Sequence, residues 1–340
     1  MKNILVTGGA GFIGANFTHL ILRRHPDYRV VVYDKLTYAG NLNNLRPVEA
    51  DPRFAFVQGD IADMAAVEQA VRAHQIDTIV NFAAETHVDR SILDPESAHR
   101  TNFTGVYVLL EVVRQLGLER LHQVSTDEVY GSIPVGFFKE GDPLEPNSPY
   151  SASKAGGELM VHAYHVTYGL NTVVTRGSNT YGPYQYPEKV MPLFITNALD
   201  NEPLPLYGDG MQVRDWLYVE DHCSGIDLAL HKGKAGEIYN VGGGNERHNI
   251  DVTRMILRLL GRPETLIKRV ADRPGHDRRY ALDCSKIAAL GWEPSHHFET
   301  GVAETVEWFK ANEAWWRPIK SGEFKAYYER QYRERLAAAQ

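Results

Sequence analysis

A glycine-rich turn near the start of the chain stands between an apolar run and a helical pattern. Residues 3–7 are predicted to form a buried β-strand, and Gly8, Gly11 and Gly14 follow at three-residue spacing, with a helix from Ile13. Glycines at these positions let the backbone approach a pyrophosphate, while the amides of the helix N-terminus supply hydrogen-bond donors and a favourable dipole. The order strand, glycine turn, helix therefore predicts a dinucleotide-binding βαβ unit.

The first half of the chain repeats this alternation of β-branched apolar runs and helical patterns. Strands are predicted at 3–7, 29–34, 54–59, 78–83, 121–125 and 172–176. Helices are predicted at 13–24, 64–73, 102–116 and 150–168 and, further on, at 219–231 and 251–260. We therefore expect an α/β fold, with a doubly wound parallel (Rossmann) sheet in residues 1–178 and a smaller C-terminal substrate-binding lobe in residues 179–340, with some crossing back of the chain. The active site is expected between the two lobes.

Asp34 ends the second predicted strand, 20 residues after Gly14. A carboxylate at that place accepts hydrogen bonds from an adenosine ribose and repels a 2′-phosphate, which favours NAD over NADP. The alternative is an aspartate that only terminates the strand. Asp60, after the third strand, either meets the adenine or caps the next helix. The predicted cofactor-binding residues are Gly8, Gly11, Phe12, Ile13, Gly14, Asp34, Lys35, Thr37, Asp60, Ile61, Ala83, Ala84, Thr101, Tyr150 and Lys154.

Two groups of polar residues predict acid–base chemistry at the same edge of the sheet. Thr126, Asp127 and Glu128 directly follow the fifth strand, and Tyr150 and Lys154 share one face of the next helix at i and i+4. A phenol is a poor base at neutral pH, but a cation one turn away stabilises the phenolate, which can then take a hydroxyl proton as a hydride leaves. These five residues are the predicted catalytic set. The alternative for the acid pair is that it caps the next helix.

The composition of the chain limits which ligands the protein is expected to bind and where in the cell it is expected to reside. The net charge of −7 disfavours general nucleic-acid binding. The two cysteines, Cys223 and Cys284, lack the spacing of a disulfide framework or a zinc site, and no metal is expected. No apolar run approaches the ~20 residues of a membrane span, and the N-terminus has no signal-peptide pattern, so we expect a cytoplasmic protein without a membrane partner.

Taken together, these motifs resemble the extended short-chain dehydrogenase/reductase superfamily over nearly the whole chain. Within it, the segment 125–131 with its adjacent Asp127 and Glu128 is similar to the signature of the dTDP-glucose 4,6-dehydratases, as are 34–41, 214–222 and 273–279. The lead into Asn179, Arg176-Gly177-Ser178, departs from the family's most usual sequence and leaves the shape of the sugar pocket open.

The resemblance implies a reaction and a distribution of roles. NAD would oxidise C4 of dTDP-glucose, water would leave across C5 and C6, and the hydride would return to C6. Glu128 is then the base and Asp127 the acid, because adjacent carboxyls that repel each other can divide these roles. A homodimer built from helices 102–116 and 150–168 is also implied. The substrate-binding residues implied are Thr86, His87, Asn179, Glu188, Lys189, Arg214, Asn249, Arg273 and His276.

Two alternatives of other activity stay open at this point. A sugar-nucleotide 4-epimerase or decarboxylase would share the oxidation step but would not need Asp127. A non-catalytic NAD-binding regulatory protein would be expected to have lost Tyr150, Lys154 or Glu128, and the chain retains all three. The choice among thymine, uracil and other bases is not decided by the sequence.

Overall fold

The computed structural model describes residues 1–339, and a large parallel sheet forms its centre. The strands are Asn3–Thr7 (β1), Arg29–Asp34 (β2), Phe54–Gln58 (β3), Thr78–Asn81 (β4), Arg120–Thr126 (β5), Thr172–Gly177 (β6), Asn179–Tyr181 (β7), Leu204–Tyr207 (β8), Val213–Tyr218 (β9), Glu237–Val241 (β10), Glu246–His248 (β11) and Ile267–Val270 (β12). Seven of them form the parallel sheet β10-β6-β5-β4-β1-β2-β3. The reversal of strand order at β1 and β4 is that of a doubly wound fold and confirms the predicted class.

Helices cover both faces of this sheet. The α-helices are Phe12–Arg24 (α1), Met64–Ala73 (α2), Val88–Leu93 (α3), Pro95–His99 (α4), Val106–Leu116 (α5), Pro149–Tyr168 (α6), Val190–Leu199 (α7), Val219–Lys232 (α8), Asn249–Leu260 (α9), Ser285–Ala288 (α10), Phe298–Ala311 (α11), Glu313–Lys320 (α12) and Glu323–Ala338 (α13). One apolar core joins the sheet to α1 and α8, and another joins it to α2, α5 and α6. Strands buried on both faces explain the uninterrupted apolar runs in the sequence.

Two predicted elements differ in detail from the structure. The strand predicted at 78–83 ends at Asn81, because the Asn81 side chain accepts the Ala83 amide at 3.2 Å and turns the backbone out of the sheet. The helix predicted from residue 102 begins as a π-helix over Arg100–Gly105 before α5. Gly105 lies close to Ile61, because a Cβ atom added to Gly105 would lie 2.4 Å from the Ile61 Cδ1 atom.

The start of α6 is fixed by local sequence chemistry. Ser148 is the N-cap, and its side chain and that of Ser151 form a reciprocal capping box, with Pro149 at the first helical position. The helix ends at Gly169, whose φ of 69° is left-handed. This capping holds Tyr150 in the first turn, at the carboxyl edge of the sheet.

The remainder of the chain builds a smaller region around an aromatic core. That core includes Tyr181, Trp216, Phe298 and Trp316 and unites α7, α9, α11 and α12 with the sheet β11-β9-β7. The chain crosses back in 219–241, where α8 packs on the first core and β10 pairs with β6. The boundary at residue 178 therefore stays a prediction. Across residues 1–339, no helix combines the length and the apolar character that a membrane crossing needs.

Candidate active site

A cleft of about 370 Å³ opens at the carboxyl edge of the parallel sheet. It is lined by β-strand ends and loops of the first half of the chain and by side chains of the second half. Every residue predicted from the sequence to bind cofactor, to catalyse or to bind substrate lines this one cleft. The structure thus brings all three predicted sets together, in the crevice where parallel α/β sheets bind ligands.

The glycine turn forms a cradle of closely approaching backbone at the edge of the cleft. Gly8 has a left-handed φ of 69°, and a Cβ atom on it would lie 2.5 Å from the Ala83 nitrogen. A Cβ atom on Gly14 would lie 2.5 Å from the Gly8 carbonyl oxygen. Gly11 is the N-cap of α1, and no side chain in the described structure caps the helix there. A closely approaching backbone and a helix N-terminus without a side-chain cap fit the pyrophosphate of a dinucleotide.

Asp34 links the second strand to this cradle. Its carboxylate accepts the Ala10 amide at 2.9 Å and the Leu36 amide at 2.8 Å, and burial raises its pKa. The side chain therefore organises the turn as well as lining the cleft. The Leu36 bond is a turn contact at the strand end, so the alternative of an aspartate that only terminates the strand stays open, and the bond of Asp34 to an adenosine ribose stays a prediction.

Asp60 does not cap the following helix. The N-cap of α2 is Asp63, which accepts the Ala66 amide at 3.1 Å. Asp60 instead pairs with Lys35 at 2.9 Å and with Arg100 at 3.1 Å at the rim of the cleft. The helix-cap alternative for Asp60 was therefore wrong.

Tyr150 and Lys154 occupy the catalytic end of the cleft with different partners. Burial, followed by the charge of Glu128, raises the Tyr150 pKa, and the neighbouring Thr126 side chain acts against this rise. Lys154 donates from Nζ to the Val124 carbonyl at 2.7 Å, and burial lowers its pKa to about 8. The role of Lys154 in supporting the Tyr150 phenolate stays a prediction.

The two acids lie in a short 3₁₀ turn, Asp127–Tyr130, immediately after β5. Thr126 caps this turn, because its Oγ1 accepts the Glu128 amide at 3.2 Å, so the reading of the acids as caps was wrong. Asp127 is only 2% exposed, and its Oδ2 has no hydrogen-bond partner in residues 1–339. Burial, and then the charge of Glu128, raises the Asp127 pKa well above its ordinary value. Asp127 therefore keeps its proton to a higher pH than an ordinary aspartate, beside a second carboxyl.

On the substrate side, most predicted residues are held by ion pairs or backbone carbonyls. Glu188 accepts the Tyr38 hydroxyl and the Arg90 Nε, each at 2.9 Å. Lys189 donates from Nζ to the Thr86 carbonyl at 2.6 Å. These contacts fix the charges before any ligand arrives.

Arginines extend this pattern toward the far end of the cleft. Arg214 donates to the Val213 carbonyl at 2.8 Å and the Asp277 carbonyl at 2.9 Å. Arg273 lies 3.3 Å from Asp89. A guanidinium group that uses some of its N–H groups in such bonds can still donate from the remaining ones to a phosphate.

The sequence analysis missed Tyr280 and Tyr332, which also line the cleft. Tyr280 donates its hydroxyl to Asp277 at 2.6 Å and lies where the charge of Glu128 helps to raise its pKa, after burial. The matching segment 273–279 stops one residue before it, and extending that segment would have found it. Tyr332 reaches the cleft from α13, and nothing in its local sequence indicates such a position.

Comparison with known proteins decides the family. Residues 5–305 match the family model described as GDP-mannose 4,6 dehydratase. The chain is 52% identical over 319 residues to the dTDP-glucose 4,6-dehydratase of Actinoplanes sp., a match that covers 92% of this chain and 99% of that protein. The chain belongs to the dTDP-glucose 4,6-dehydratase family.

Solved structures agree with this family. The dTDP-glucose 4,6-dehydratase of Streptomyces venezuelae, with NAD bound, is 52% identical and superposes with a TM-score of 0.92, covering 94% of this chain and 100% of that one. The UDP-glucose 4-epimerase of Thermus thermophilus in complex with NAD is 35% identical with a TM-score of 0.85, covering 92% and 100%. The fold is thus shared with epimerases, and residues rather than fold distinguish the dTDP-glucose 4,6-dehydratase family.

Proposed function

We propose that this chain converts dTDP-glucose into dTDP-4-dehydro-6-deoxyglucose and water with NAD as a recycled cofactor. Its relatives carry this activity in their names, and the glycine cradle fits the dinucleotide. The observation that carries the proposal is the buried Asp127, whose pKa is raised, next to Glu128 in the same cleft as Tyr150. An enzyme that only oxidised and reduced C4 would need no such acid.

The residues divide the proton transfers among them. Bound NAD supplies the oxidation of C4 and the later reduction at C6. Tyr150 takes the proton of the 4-hydroxyl group, with the Thr126 side chain as its neighbour. Glu128 removes the C5 proton, which the new C4 ketone has made acidic, and Asp127 gives its proton to the departing 6-hydroxyl group, which leaves as water. Glu128 returns its proton to C5 at the end.

One proton must then pass from Tyr150 to Asp127 to restore the enzyme. Thr126 neighbours both groups, because its Oγ1 donates to Asp127 Oδ1 at 3.2 Å and its side chain is close enough to Tyr150 to act on that tyrosine's pKa. We infer that its hydroxyl group is the path for this proton. The balance is complete without any external oxidant or base.

The substrate roles follow from the charges on the second half of the cleft. We propose that Lys189, Arg214 and Arg273 hold the diphosphate and that Thr86 and His87 face the sugar. The remaining predicted contacts, to the nucleotide and the glucose, are those of Asn179, Glu188, Asn249 and His276. All line the cleft.

We further propose a cytoplasmic homodimer. Helices α5 and α6 expose large apolar side chains on their outer faces, among them Leu159, which is 60% exposed, and Val166, which is 67% exposed. Tyr107 of α5 is also exposed, at 39%. Apolar surface of this kind is suited to a two-fold interface between copies. Sedimentation of the purified protein over a range of concentrations would test the dimer.

The reaction is tested by incubating the protein with dTDP-glucose and following the nucleotide sugar by mass spectrometry. We expect the loss of one water from the substrate, with no net NADH, and slower conversion of UDP-glucose run in parallel. Unchanged mass after NAD has been added would contradict the proposal, and an epimerised product of unchanged mass would assign the epimerase alternative.

A further inference from the structure

His222, in the first turn of α8, is a buried histidine that the mechanism above does not use. It lines the cleft and is only 2% exposed. Its ring packs against the end of β6, since a Cβ atom on Gly177 would lie 2.4 Å from both Cε1 and Nε2 of the ring. Gly177 is paired with Thr126 across strands β5 and β6. The imidazole therefore lies at the catalytic end of the cleft, one strand away from Thr126.

The hydrogen bonds around His222 fix which of its nitrogens is free. Nδ1 lies 2.7 Å from Thr180 Oγ1, and that hydroxyl donates its only hydrogen to the Ser178 carbonyl at 3.1 Å. Nδ1 is consequently the donor to Thr180, and Nε2 keeps its lone pair. Within the part of the chain that the structure describes, this buried Nε2 has no hydrogen-bond partner.

An unpaired acceptor in a buried position calls for a donor from a ligand. Burial lowers the pKa of His222 to about 4, so the imidazole is neutral and accepts at physiological pH. No charged group is among the causes of that shift. The matching ligand group is an N–H or O–H donor that needs no charge balance from the protein at this point, such as a neutral amide.

The position along the sheet selects the ligand. Asp34 and Asp60 place the adenosine end of the cofactor at β2 and β3, and the glycine cradle after β1 places the pyrophosphate. The nicotinamide must then lie at β5 and β6, because Tyr150 takes a substrate proton there. The polar substituent of nicotinamide is a carboxamide, whose NH₂ group is a neutral donor.

We propose that His222 is a cofactor-positioning residue whose Nε2 accepts a hydrogen bond from the nicotinamide carboxamide. Thr180 orients the ring by accepting from Nδ1, and Gly177 leaves the room in which the ring lies. The bond fixes the rotation of the nicotinamide and hence the face that it turns toward the sugar. This inference rests on the proposed function only in taking NAD as the cofactor.

The test compares the binding of three nucleotides to protein freed of bound cofactor, by titration calorimetry. The nucleotides are NAD, its 3-acetylpyridine analogue, in which a methyl group replaces the NH₂ group, and ADP-ribose, which lacks the nicotinamide. We expect the unaltered protein to bind NAD about ten-fold more tightly than the analogue. His222→Leu should bind the two equally, and His222→Gln, which again offers an acceptor, should recover part of the preference.

ADP-ribose separates a local effect from misfolding, because it should bind the variants and the unaltered protein with the same affinity. His122→Leu is the matched control: this buried histidine bonds Thr175 and does not line the cleft. A preference for NAD that persists in His222→Leu, with ADP-ribose bound normally, would overturn the inference. Absence of NAD binding to the unaltered protein would instead refute the proposed function.

Discussion

The two sides of the cleft differ in how their charged groups are paired, although both hold buried polar atoms without partners in the described chain, such as Arg273 Nε on the substrate side. At the catalytic end, Asp127 Oδ2 and His222 Nε2 are buried without partners in the described chain. On the substrate side, Arg273 is paired with Asp89 and Glu188 with Arg90. Unpaired buried groups are poised to exchange protons or hydrogen bonds with a ligand, whereas paired charges hold their geometry. The contrast predicts that substitutions at the catalytic end lower kcat and that substitutions on the substrate side raise KM.

The largest effect should come from Asp127→Asn, which keeps the shape of the side chain and removes its proton. Water elimination should fall by roughly 10²–10⁴-fold, because the departing hydroxyl group loses its acid. Binding of dTDP-glucose should be unchanged. Product mass and transient NADH absorbance report the two steps separately. Dehydration by Asp127→Asn at a near-normal rate would contradict the assignment of acid–base chemistry to the catalytic end of the cleft.

Gly14→Ala probes the cradle. The new Cβ atom would lie 2.5 Å from the Gly8 carbonyl oxygen, which is backbone that cannot move aside cheaply. We expect affinity for NAD to fall by about ten-fold or more, with the thermal midpoint also lowered. Gly117→Ala, at a helix end with open space around it, is the control for a lost glycine. Equal NAD binding by Gly14→Ala and the unaltered protein would refute this account of the turn.

Arg273→Gln tests the substrate side. We expect KM for dTDP-glucose to rise by about ten-fold, with kcat changed much less, because a phosphate contact is lost. The substitution also removes the ion-pair partner of Asp89, so a lower melting temperature is expected. The double variant with Asp89→Asn should recover the melting temperature but not KM. A lower kcat with an unchanged KM would indicate instead that Arg273 takes part in the chemical steps.

The smallest effect is a pH dependence set by Lys154. Its pKa is lowered to about 8 by burial, so its charge is present below that pH and is lost as the pH rises through it. We expect kcat to halve near pH 8 and to fall further above it, because the neutral amine no longer supports the Tyr150 phenolate. A profile that stays flat to pH 10 would show that the field of Lys154 is not used.

The first end of the cleft was predictable from sequence because its signals are local. The glycine turn, Asp34 and the strand ends follow one another along the chain, and the structure places them as expected. Tyr150 and Lys154 were found by helix periodicity. Periodicity did not identify the groups that neighbour them, Thr126 and Val124, because these lie on a strand that meets the helix only in the folded protein.

The other end was predictable only through family resemblance. Its residues come from loops and helices far apart in the chain, such as Asp89 beside Arg273 and Tyr332 on α13. The free nitrogen of His222 depends on the packing of α8 against β6 and on the hydroxyl of Thr180. Periodicity identifies α8 as a helix but not which atom of a buried side chain lacks a partner.

The central claim is that one cleft moves hydrogen from C4 to C6 of the same sugar while its own residues handle the protons. The most direct test is dTDP-glucose carrying deuterium at C4, with the product examined by mass spectrometry and NMR. The account predicts that ordinary water is lost and that the deuterium appears in the C6 methyl group. Deuterium lost to solvent, or retained at C4 in a product of unchanged composition, would contradict it.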